Sequence, residues 1–196
     1  MSIVFRWFAP FVLGFSLLLG QTGTDAHEAL VNKAVLRKIS SKSLSLRLEV
    51  DPVTLLYKAQ VKGASVSFEV FLTRYAAMPV KKFAQELMKI QALIAKDLSI
   101  VGADGLPLAV VGWEWPDTDQ WQGALRTHLT LYQANPNDLG HMPPITVGIR
   151  ATSLRDLSHV HLSLPRAMQP ILVQASPTDL FWLSEKIPVA VVSFDP

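Results

Sequence analysis

The sequence predicts a mainly β domain, a β-sandwich of about eight or nine short strands with one inserted α-helix at about 79–96, following an amino-terminal export signal. Three observations predict it. Leu44, Leu46, Leu48 and Val50 alternate with Ser45, Arg47 and Glu49, the period of a half-buried strand. Short apolar segments recur along the chain between Pro, Gly, Asn and Asp. A single stretch carries a clear helical period: Val80, Phe83, Leu87, Ile90 and Ile94 recur at three- and four-residue steps after Pro79.

In chain order, the first strand falls at about 30–39 and joins the Leu44–Val50 strand through the polar Ser40-Ser41-Lys42-Ser43. Asp51-Pro52 ends that pairing. Val66, Phe68, Val70 and Leu72 alternate with Ser67, Glu69 and Phe71, which predicts another strand before the helix. Residues 98–101 and 106–115 read as a hairpin closed by Ala103-Asp104-Gly105, because Asp-Gly supplies positive φ. Further strands are expected at about 126–133, 145–151, 157–164, 171–174 and 187–194, with the polar loop 135–144 between the first two.

The amino terminus has the order of a cleavable signal: Arg6, the apolar run Trp7–Gly20, then small and polar residues to Ala26. The apolar run is shorter than the roughly 20 residues that cross a bilayer, and Pro10 interrupts it. Residues 1–26 are therefore expected to be removed after Ala26, leaving one extracytoplasmic domain over 27–196, periplasmic or secreted. A domain of that size can bury enough surface to fold without staples. Cysteine is absent, which excludes disulfides, thiolate metal sites and cysteine nucleophiles. The formal charge is only +2, with the cations scattered along the chain, so no nucleic-acid partner is expected.

Cleavage after Ala26 would give His27 a free α-amine beside its imidazole, a pair that chelates copper. His159 and His161 lie two apart on a predicted strand, so both point to one side, while Val160, Leu162 and Leu164 take the core side. His27, His159 and His161 together resemble the copper-site pattern of the particulate methane monooxygenase copper subunit, an amino-terminal His with a His-x-His on a β domain. Lytic polysaccharide monooxygenases share the terminal His but use a lone second one. The alternative account is an export site that precedes a histidine and a strand with two exposed histidines. His128 is expected to share a strand face with Arg126, Thr130 and Tyr132, and His141 to lie in the polar loop, both as solvated side chains.

Trp113 and Trp115 point to one side of their strand and, if exposed and coplanar, would stack on a sugar; packing into the core is the other use of such rings. Hydrolase and nucleotide motifs such as G-x-S-x-G, H-E-x-x-H, the P-loop and G-x-G-x-x-G are missing, which weighs against an enzyme.

Ala26-His27-Glu28, the Leu44–Val50 strand, and Leu164-Pro165 followed by Pro170-Ile171-Leu172-Val173 resemble the extracytoplasmic amino-terminal domain of hydrogenase and urease accessory (HupE/UreJ-type) membrane proteins. That family continues into a transmembrane bundle with no counterpart in this sequence. The resemblance implies a periplasmic domain associated with a membrane-protein partner, and it transfers no catalytic residue. The leading expectation is thus an exported, non-enzymatic accessory or binding protein. The other two are a copper-binding or copper-dependent redox protein using His27, His159 and His161, and a carbohydrate-binding module using Trp113 and Trp115.

Overall fold

β1 (Asn32–Ser40) and β2 (Ser43–Val50) form the expected hairpin, with Ser41 and Lys42 at its tip. The computed structural model describes residues 32–60, 66–135, 142–176 and 179–194. The export signal expected over 1–26, together with His27 and His141, lies outside the described residues. Leu44, Leu46, Leu48 and Val50 are buried, as their alternation requires, and they form the centre of a six-stranded sheet.

Asp51-Pro52 does more than end β2: it opens α1 (Pro52–Gln60). The Asp51 carbonyl accepts the Leu55 N–H at 3.0 Å, its carboxylate accepts the Val53 N–H at 3.0 Å, and Pro52 sits where a missing N–H costs nothing. The strand expected through 66–72 is instead the helix α2 (Phe68–Ala76), capped by the Ser67 hydroxyl, which accepts the Val70 N–H at 3.3 Å. Phe68, Phe71, Leu72 and Tyr75 also fit a helical stripe, and that period wins. Phe71, Leu72 and Tyr75 are buried, whereas Val66 and Val70, which the alternation placed inside, are exposed.

The predicted helix is α3 (Val80–Asp97), with Pro79 one position earlier than expected, at the cap. Phe83, Leu87, Ile90 and Ile94 are its buried stripe. The expected hairpin after it divides. Gly105, at φ 76°, makes the turn, and the Leu108 N–H reaches the Ile100 carbonyl at 2.8 Å. The two arms then join different sheets, β3 (Ser99–Gly102) in a three-stranded sheet and β4 (Ala109–Glu114) at the edge of the large one.

The strand expected at about 126–133 is also a helix, about the second half of α4 (Thr118–Ala134). Trp121, Leu125 and His128 recur at helical steps and are buried, and α4 packs against α2. β5 (Ile145–Thr152), β6 (His159–Ser163), a 3-10 turn (Arg166–Met168), β7 (Ile171–Gln174), β8 (Leu180–Leu183) and β9 (Val189–Ser193) follow.

The large sheet has the order β4-β5-β2-β1-β7-β8 and the small one β3-β6-β9. All pairings are antiparallel except β1 with β7, in which Asn32 stands opposite Ile171 and Val35 opposite Gln174. The Asn32 side chain ties this junction by donating to the Met168 carbonyl at 2.7 Å and accepting the Asp51 N–H at 3.0 Å.

The buried sides of both sheets and all four helices join one hydrophobic core. With nine strands and four helices among the described residues, the architecture is mixed α/β. The two-sheet, strand-rich half of the expectation stands, and the pure sandwich with a single helix is corrected. Residues 66–72 and 126–133 do not follow a period of two, and Asp51-Pro52 starts a helix as well as ending a strand.

Candidate functional site

β6 is the central strand of the small sheet, so its alternation fixes two faces. Val160, Leu162 and Leu164 are buried, and His159, His161 and Ser163 face the other way, as expected. The imidazole centres of His159 and His161 are 5.7 Å apart with planes at 69°. His161 is flanked across the sheet by Val101 on β3 and Val191 on β9, while His159 stands opposite Ser193. The Ser158 hydroxyl lies 3.4 Å from His159 Nδ1.

With a metal–nitrogen bond of about 2.0–2.1 Å, a tetrahedral ion shared by two imidazoles puts their ring centres about 5.2 Å apart. The observed spacing is reached from there by a small side-chain rotation. Among the described residues no third His, Asp, Glu or Cys joins the pair to make a group of three metal ligands. His27, the third member of the expected constellation, lies outside them.

Trp113 and Trp115 are brought together, but not as a platform. Their rings are stacked face to face, 4.8 Å apart and within 2° of parallel, so each covers one face of the other. Both are partly buried against the core, and Trp115 also leans on the buried Trp121 at 6.4 Å. Trp115 lines a cleft of about 620 Å3 together with Met142, Pro143 and Pro144. The side-by-side coplanar arrangement that sugar stacking needs is absent at this pair.

Histidine 128 is a correction. It lies on a helix, not a strand, and is buried at 5% exposure, with the Phe68 ring 5.5 Å away edge-on. Neither ring nitrogen has a hydrogen-bond partner among the described residues. Burial pushes its pKa below the usual imidazole value of 6.5, with the Asp51 carboxylate opposing weakly. The helical step from Trp121 through Leu125 to His128 was the signal for this position. Nearby, Gln122 is buried and donates its amide to the Met78 carbonyl at 2.6 Å, pinning α4 to the end of α2.

A cleft of about 800 Å3 with a mixed lining, unforeseen in the sequence, lies beside α1 and the 3-10 turn. Lys58 there donates to the Gln169 carbonyl at 2.8 Å, and Arg166 and Glu185 line the opening. Comparison of the chain with protein-family models, with curated proteins and with solved structures found no match, so its chemistry is argued from these residues alone.

Proposed function

We propose that this chain is an exported, non-enzymatic binding domain that holds a transition-metal ion, copper above all, between His159 and His161. The observation that carries the reading is the pair of imidazoles set side by side on the outward face of one strand, at a spacing that suits a shared ion. Imidazole is a strong ligand for copper. His27, once freed by cleavage after Ala26, supplies an amine and a third imidazole in this reading. The test is Cu(II) titration of the protein processed to begin at His27, followed by electron paramagnetic resonance. Nitrogen hyperfine coupling and affinity should both fall in His159→Ala/His161→Ala, and equal binding by that variant would remove the proposal.

An accessory role beside a membrane partner is a second reading, favoured by a separate observation. Leu180 and Trp182 on β8, Ile187 in the following turn, and Val189 and Val191 on β9 are all exposed, a run of large apolar side chains along two sheet edges. It accords with the resemblance to the HupE/UreJ-type domain. The native protein should sediment with host membranes, and an Ile187→Lys/Val189→Lys variant should be released into the soluble fraction. Recovery of the unmodified protein wholly in that fraction would dismiss the membrane partner.

A further inference from the structure

The outer face of the six-stranded sheet brings three arginines around one hydroxyl. Ser45, on the central strand β2, is paired with Arg37 on β1 and with Arg150 on β5, so one row across the sheet reads Arg37, Ser45, Arg150. Arg47 is two residues further along β2 on the same face. With strands about 4.8 Å apart, the two flanking arginines start about 10 Å from each other, within the combined reach of their side chains, and both can lean over Ser45.

The sheet is bare where they converge. A Cβ at Gly148 would come within 2.9 Å of Glu114 Oε2, so this side chain lies close over glycine backbone, and one at Gly112 would meet Arg150 Nε at an ordinary 3.9 Å. Two shallow hollows of about 460 and 390 Å3 meet at Ser45 and Arg47, the first reaching Arg37 and the second Arg150.

Charge favours an anion here. Arg47 pairs with Glu49 and Arg150 with Glu114, both at 3.0 Å, but the arginine side chains are 62% and 68% exposed, and such pairs are weak and readily exchanged. Arg37 makes no ion pair with any described residue. Each guanidinium presents five donors in a fork that matches a tetrahedral oxyanion, and the hydroxyl of Ser45 adds another.

We propose that Arg37, Arg47, Arg150 and Ser45 form a binding site for a phosphate group on the open face of the large sheet. It lies on a different sheet from the histidine pair, so either site stands without the other. The ligand is free phosphate or a phosphomonoester, held by exchange of the two carboxylates for its oxygens.

The test is a nuclear magnetic resonance titration of the secreted protein with inorganic phosphate and, separately, with glycerol phosphate, at ionic strength held constant with sodium chloride. Saturable shifts confined to β1, β2 and β5 and to the arginine Nε–H signals are expected. Tighter binding of the ester assigns the site to a phosphorylated metabolite, and equal or tighter binding of the inorganic ion assigns it to free phosphate. Arg37→Gln/Arg150→Gln should weaken binding at least tenfold, whereas Lys81→Gln/Lys82→Gln on α3 should leave it unchanged. Because all four side chains are exposed, both variants should keep dispersed spectra. Shifts that do not saturate, or that persist unchanged in the arginine variant, overturn the proposal.

Discussion

Replacing His128 with leucine should stabilise the domain and remove part of its sensitivity to acid. In the folded chain the imidazole is buried with neither nitrogen partnered by a described residue, and an unsatisfied buried polar atom costs about 1–3 kcal/mol. Leucine has similar bulk, a better helix propensity and no polar atom, so a gain of about 1–2 kcal/mol is expected at pH 7.5.

The pH dependence has a definite sign. Unfolded His128 takes up a proton near 6.5 and the folded residue only at lower pH, so the unfolded chain binds more protons between the two values. Stability contributed by this residue is therefore complete above about pH 6.5, declines as pH falls toward the depressed folded value, and levels off beneath it. The decline cannot exceed about 1.4 kcal/mol per pH unit for a single proton. Urea unfolding at intervals from pH 8 to pH 4 should show this slope in the native sequence and a shallower one in His128→Leu. A variant that loses more than about 1 kcal/mol at pH 7.5, or that keeps the whole acid slope, would refute the burial argument.

Three other outcomes follow from the fold. Leu48→Ala, at a fully buried position in the central strand, should cost about 2–5 kcal/mol in urea unfolding, and a loss below 1 would mean that the core there is loose. Asp51→Ala should cost about 0.5–2 kcal/mol by removing the cap of α1, read as a lower denaturation midpoint at unchanged slope. Gly105→Ala meets no neighbour within 4 Å, so the loss of about 1 kcal/mol expected in thermal unfolding comes from its positive φ alone, and a neutral result would deny that turn.

What was legible in the sequence depended on how local the deciding interaction is. The alternation of Leu44 to Val50 and the outward placement of His159 and His161 follow from a period of two within one strand, and both are found. The stripe of α3 is equally self-contained. Phe68 and Leu72, four apart, satisfy two periods at once, and α2 packs against α4, a contact that sequence alone does not display. Asp51-Pro52 carried a helix-start signal beside the strand-stop signal that was read.

Trp113 and Trp115 were expected on one side of a strand; their rings do meet, but β4 ends at Glu114, and Trp115 just beyond it also packs near Trp121 on a different element. The row of Arg37, Ser45 and Arg150 joins three strands through their register, a relation that no spacing along the chain encodes.

The parallel pairing of β1 with β7 has a consequence for how the molecule is made. β1 emerges early from a ribosome or a translocation channel, but its second partner, Ile171–Gln174, emerges near the end. Until then one side of the strand after Asn32 offers open backbone donors and acceptors to any passing extended chain. Completion of the sheet is therefore a late event in biogenesis, and the interval before it is the molecule's period of greatest exposure to aggregation or to capture by a holding chaperone.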